Sequence, residues 1–269
     1  MTTPRASVDS RDSRFPAGTF LPAPGRGRLG LMLRAQAGVE LRLALRNGEQ
    51  VLLTLLIPLA LLIGLTLLNV VPLPEPRVAM VAPGVLALAV LSTAFTSQAI
   101  SLGFDRRYGV IRRLAATALP RWLLVAGRLA AVLGVVAVQM VLLSAVAFGL
   151  GWRPAAAGVG WALLLILLGC AAFGGLGILL GGTLRAEIVL AVANVVWFAL
   201  LLGGGIVLPA GQLPGGMAEV ARLLPSGALA EGLRTALVTG QFPGLAPILV
   251  LLAWAVVSAG VATRTVRLR

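Results

Sequence analysis

Six apolar runs, separated by short polar breaks, dominate the chain. They cover about residues 51–71, 78–102, 122–150, 159–180, 188–208 and 245–262. A helix needs about 20 apolar residues to cross the hydrocarbon of a bilayer, and each run is roughly that long. The first run contains Pro58, which a membrane helix tolerates when neighbours satisfy the freed carbonyl. The second carries Pro83 and Gly84 near its start. Between them, PLPEPR at 72–77 predicts a tight turn. Ahead of the first run, residues 29–46 alternate Leu with Arg34, Arg42 and Arg46. At 100° per residue these arginines fall within one arc of a helix, while Gln36 and Glu40 lie off it. This pattern predicts a helix lying at the membrane interface, with RNGEQ (46–50) opening the first span.

The segment after the fifth run has a different pattern. Glycines at 203–205 and Pro209 weaken the end of that helix. Leu213-Pro214, a short apolar piece at 217–224 and Leu224-Pro225 follow. From Ser226 onward, Leu229, Leu233 and Leu237 recur one turn apart. Ser226 is a plausible N-cap, and Glu231 and Arg234 are spaced to pair. The dense apolar content predicts two short helices that dip into the membrane without crossing it. The expected fold is therefore all-α: a polytopic membrane protein of six transmembrane helices with an N-terminal interfacial helix. Residues 1–28, rich in Pro, Arg, Ser and Gly, are expected to form a disordered cytoplasmic tail. Residues 29–269 form the membrane domain, with a basic loop at 104–121 and the re-entrant segment at 209–240.

Composition supports the membrane assignment. The chain is 59% hydrophobic and only 12% charged, with a mean hydropathy of +1.00. A soluble domain averages about a quarter charged. The net charge is +13, and all 22 basic residues are arginine. They flank apolar runs instead of forming one basic face, which argues against nucleic-acid binding. Placing the N-terminus inside puts eighteen arginines on the inner side and only Arg77, Arg153, Arg222 and Arg234 on the outer side. Six spans then leave both termini in the cytoplasm. Arg128 lies two turns into the third run and is expected to snorkel back to the inner headgroups.

The missing residue types narrow the chemistry. Without Lys there is no Walker A motif and no Schiff base. Without His there is no imidazole base or ligand. Cys170, the single cysteine, lies inside an apolar run and makes no disulfide. None of the nine acids sits in the middle of a span, so no proton relay or metal cluster is predicted. Polar residues on the second run stand out instead. Thr93, Ser97 and Ser101 recur every four residues on one helix face, with Gln98 beside them. Asn194 and Trp197 are three apart on the fifth run. Such residues suit a path for amphipathic or apolar cargo, or simple hydrogen bonding between packed helices. Gly177 and Gly181 on the fourth run have the spacing of close helix packing.

In order along the chain, RNGEQ before a Pro-containing span, Pro83-Gly84, the basic turn DRRYGVIRRLAATALPR and the Gly-Pro segment through Arg234 resemble the membrane permease of type-2 ABC transporters. The family's loop often carries a Glu beside its Gly, where this chain has Tyr108 and Val110. The resemblance implies a dimer of six-span permeases, identical or related, above two cytoplasmic ATPase subunits. ATP and Mg would be bound by those partners, and this chain would bind no cofactor and have no enzymatic activity of its own. The resemblance assigns Asp105, Arg106, Arg107, Tyr108, Gly109, Arg112 and Arg113 to ATPase coupling. It places Thr93, Ser97, Gln98, Ser101, Asn194 and Trp197 beside the substrate path. Gly204, Pro209, Pro214, Pro225, Glu231 and Arg234 would form the outer gate. The implied function is ATP-driven export of a drug, lipid or glycoconjugate across the cytoplasmic membrane, in contact with membrane lipids. The alternatives are a non-transporting membrane anchor or assembly subunit and an intramembrane lipid-modifying enzyme. The latter would need clustered acids or His at the interface.

Overall fold

The computed structural model describes residues 28–68, 74–115, 120–206 and 216–265, and these are helical and connecting segments without strands. The helices are α1 (Leu29–Arg46), α2 (Gly48–Leu67), α3 (Arg77–Val90), α4 (Gln98–Arg107) and α5 (Val110–Ala115). They continue with α6 (Arg121–Gly149), α7 (Val159–Thr183), α8 (Ala186–Gly203), α9 (Met217–Leu223), α10 (Pro225–Arg234) and α11 (Leu245–Thr265). A π-helical segment, Leu91–Ser97, joins α3 to α4 in one continuous helix, Arg77–Arg107. Among the described residues, five helices are long and apolar enough to cross a membrane. They are Arg77–Arg107, Trp122–Gly149, Ala156–Thr183, Ala186–Gly203 and Leu245–Ala262. α2 is also helical, with Pro58 inside it, and its described apolar part is the shorter Thr54–Leu67. The expected tail at 1–28 lies outside the described residues except for Arg28.

The helix Arg77–Arg107 is the axis of the bundle. Its most apolar window is 89% buried inside the protein, against 17–44% for the other four long helices. The helix lies between α2 and α6 on one side and α7, α8 and α10 on the other. With 31 residues it is about 46 Å long at 1.5 Å per residue. That exceeds a hydrocarbon core of about 30 Å, and the second span runs on to Arg107 instead of ending near Leu102.

α7 is the second organising element. It packs on α11, on α4 and on the π-helical segment. Its contact with the axis depends on the absence of side chains: a methyl on Gly177 would lie 2.7 Å from the Phe95 carbonyl oxygen, and one on Gly181 would meet the carbonyl of Ala99. The Gly177-x-x-x-Gly181 spacing is thus a packing device, as the sequence indicates. Phe173, fully buried, fills the core on the same helix.

α1 differs from a simple surface helix. It packs along α6, with Gln36 over Gly127 and Leu41 over Gly134. Glu40, off the arginine arc, is the residue turned toward the bundle. At the opposite end, α9 and α10 are two short helices, as expected. Leu229, Leu233 and Leu237 on α10 and the turn after it are all buried. The cap differs from expectation: Leu224 is the N-cap of α10, Pro225 follows at N1, and Ser226 makes no cap hydrogen bond. Proline is pre-organised for the first helical position and needs no donor there, so the helix starts one residue before the serine. Trp254 of α11 donates from Nε1 to the Leu223 carbonyl at 3.0 Å, tying the last long helix to α9.

Replacing Gly181 by Leu should overpack the α7–α4 contact and cost about 1–3 kcal/mol. Thermal unfolding of the purified protein in detergent reads this as a lowered midpoint, whereas Gly149→Leu, which meets no neighbour, should leave it near wild type.

Candidate functional site: a polar cavity beneath the basic loop

The central helix carries the hydroxyls that stand out in the sequence, and the π-helical segment falls among them. A π turn changes the angular step of the helix, so Thr93 and Ser97 do not stack as in a regular α-helix. The hydroxyls are nevertheless used. Thr93 donates to Gln139 Oε1 at 2.8 Å, and Gln139 Nε2 donates to Thr54 Oγ1 at 3.2 Å. This chain of bonds links α2, the central helix and α6 deep in the bundle. Gln139 is 2% exposed. A lone amide within a long apolar run was the sequence signal for it, and the hydroxyl pattern alone does not reveal it.

Thr93, Ser97, Gln98 and Ser101 line a single cavity of about 310 Å³. The apolar side is provided by Val39 and Leu43 of α1 and by Ala131, Val132 and Val135 of α6. Its floor, at the arginine-rich end, holds Glu40, Asp105 and Arg128. The last two proposed path residues fall elsewhere. Trp197 is buried and donates from Nε1 to Ser92 Oγ at 3.0 Å, on the α8 side of the helix. Asn194 is on an exposed face of α8, its Nδ2 donating to the Leu190 carbonyl of its own helix at 2.8 Å. The three-residue spacing of Asn194 and Trp197 therefore does not bring them to one site.

Arg128 corrects the snorkelling expectation. It is 6% exposed, and its guanidinium pairs with Asp105 through Nη2 and lies 3.7 Å from Glu40 through Nε. Glu40 also accepts from Gln36 Nε2 at 3.0 Å. The reason is packing: two turns into α6, Arg128 is level with the end of α4 and with α1, and both carboxylates reach it there.

The basic loop divides into inward and outward residues. Arg106 donates from Nη1 to the carbonyls of Gly181 (2.9 Å) and Leu184 (3.2 Å), occupying the end of α7. Arg107 pairs with Glu187 at the start of α8. Asp105, expected among the coupling residues, has its carboxylate on Arg128. Gly109 has a φ of +70°, a left-handed turn that separates α4 from α5. The loop helix thus starts at Val110, directly after that turn. Tyr108, Arg112 and Arg113 remain exposed, with Arg113 Nη2 donating to the Tyr108 carbonyl at 3.2 Å. On its other side α5 turns inward, and Val110 and Leu114 line the 310 Å³ cavity.

At the far end, Gly204, Glu231 and Arg234 line a second cavity of about 380 Å³. Arg234 is buried, donates to the Ile206 carbonyl at 2.6 Å and lies 3.7 Å from Glu231. Gly84 permits this closure, since a methyl there would meet the Ile206 carbonyl and approach Arg234. Pro225 is buried at the start of α10, whereas Pro209 and Pro214 lie outside the described residues.

An all-helical bundle packs around one buried helix, five of its described helices are long and apolar enough to cross a membrane, and a basic loop walls the cavity. Residues 35–238 match the ABC-2 type transporter family, and the chain belongs to that family. It is thus a membrane subunit of an ABC transporter, a family that works with ABC ATPase partners. Among curated proteins, none matches the chain.

Removing the shared cation should destabilise the bundle. Arg128→Gln should cost about 1.5–3 kcal/mol, the range for hydrogen bonds to charged groups. The double variant with Asp105→Asn should recover part of that loss. Thermal unfolding of the single and double variants measures both terms, and strict additivity would show that the two side chains do not interact.

Proposed function

We propose that the chain is the permease of an ATP-driven exporter in the cytoplasmic membrane, moving amphipathic or apolar cargo. The arginine-rich end is the cytoplasmic one by the positive-inside rule. α2 is the first of six spans, and α9 and α10 are the re-entrant pair of the outer leaflet. Two permease copies act together, and ATP and Mg are handled by separate cytoplasmic ATPase subunits.

One observation carries this reading. The basic loop presents Tyr108, Arg112 and Arg113 outward, while Val110 and Leu114 of its helix α5 face the cavity. A partner that moves α5 from below therefore moves a wall of the cavity directly. The cavity also reaches along Thr93, Ser97 and Ser101 of the central helix. At the far end, Arg234 and the Ile206 carbonyl close the bundle over Gly84. A cytoplasmic intake chamber and a closed outer gate are the two ends of an alternating-access path. Closure of the ATPase dimer on binding ATP would push the loop helix, narrow the chamber and open the outer end. Hydrolysis would reset the cycle.

Charge reversal of the exposed pair, R112E with R113E, should abolish the stimulation of ATPase turnover by cargo while membrane insertion stays intact. The complex reconstituted in liposomes gives both readouts. Unchanged cargo-stimulated turnover in the double variant would sink the coupling role of the loop.

A further inference from the structure

The arginine-rich end of the protein is strongly positive, yet the cavity it surrounds is not. Glu40 and Asp105 both face the cavity floor and share one guanidinium, that of Arg128. Two carboxylates against one cation leave a formal charge of −1. This charge is partly shielded from water: the Glu40 and Asp105 side chains are 21% and 27% exposed, and Arg128 is 7% exposed. In such surroundings an uncompensated charge interacts far more strongly than in bulk water.

Gln98, two turns before Asp105 on the central helix, adds a neutral polar side chain to the wall. Above these groups the wall is apolar, with Val39, Leu43, Val132 and Val135. The volume of about 310 Å³ falls at the lower end of small-molecule pockets.

We infer that this cavity selects organic cations, in which an apolar body carries a cationic N–H group. That group would lie beside Glu40 and Asp105, supplying the donors and the positive charge that the floor lacks. The apolar body would lie along α1 and α6. An anion of the same size would face two carboxylates, and a neutral molecule would leave the floor charge uncompensated. The selection rests on the exporter reading only for its biological purpose, because binding is a property of the cavity itself.

The test uses the full chain in nanodiscs of phosphatidylcholine, without ATPase or ATP. Fluorescence polarisation follows rhodamine 6G, a lipophilic cation whose fixed charge is shared with two N–H groups, and Nile red, an uncharged lipophilic dye. Glu40→Gln and Asp105→Asn should each weaken rhodamine 6G binding at least about tenfold, a modest electrostatic loss on the affinity scale. Nile red binding should change less than about twofold, which also reports an intact fold. Glu40→Asp, which keeps the charge, should retain rhodamine 6G binding. Equal losses for both dyes would assign the carboxylates a purely structural role and overturn the inference. Unchanged rhodamine 6G affinity in the neutral variants, or no saturable binding to the wild type, would overturn it as well. A failure of the exporter reading appears separately, as cargo-stimulated ATPase turnover indifferent to the loop charge reversal.

Discussion

A single guanidinium joins three helices at the arginine-rich end of the bundle. Arg128 of α6 reaches Asp105 at the end of the central helix and Glu40 on α1. Without it, two carboxylates would sit beside each other at the foot of an apolar bundle, and the repulsion would push α1 away from the central helix. With it, α1 becomes a wall of the cavity, and the end of the central helix is fixed where the basic loop begins. The gain in Coulomb energy is offset in part by desolvation of the arginine, as in any buried pair. The arrangement therefore contributes more to placement than to raw stability.

The central helix and α6 both exceed the thickness of the hydrocarbon. Arginine and carboxylate meet at one end of these helices, where charge is less costly than at a bilayer centre. Deeper in the bundle, neutral polar groups link the helices, as in the Thr93–Gln139–Thr54 chain and the Trp197–Ser92 bond. The bundle thus separates its chemistry by depth: ionic contacts at the foot, hydroxyls and amides in the middle, and a carbonyl-capped arginine at the far end.

The same geometry ties the cavity to the loop. α5 has a solvent side and a cavity side, and the left-handed turn at Gly109 sets its direction relative to the central helix. Arg106 and Arg107 anchor the turn to the ends of α7 and α8. A push on the loop is therefore shared between the cavity wall and two further long helices.

Much of this was legible in the chain. Apolar run lengths placed the long helices within a few residues, and arginine counts gave their expected polarity. The Gly177–Gly181 spacing marked a tight contact, and the leucine spacing at 229, 233 and 237 marked a buried helix face. These succeed because helix period, span length and the cost of charge in lipid are local properties. Which partners meet was decided only by the tertiary structure. Arg128 looked like a snorkelling residue because its acids are 88 positions before it and 23 positions before it in sequence, at Glu40 and Asp105. Asn194 and Trp197 looked like one site from their spacing, but how α8 packs on the central helix buries Trp197 against Ser92 and leaves Asn194 on an exposed face. The π-helical segment at Leu91–Ser97 and the division of the loop arginines into inward and outward sets depend on packing against α6, α7 and α8. Those contacts join residues far apart in sequence, so no local pattern specifies them.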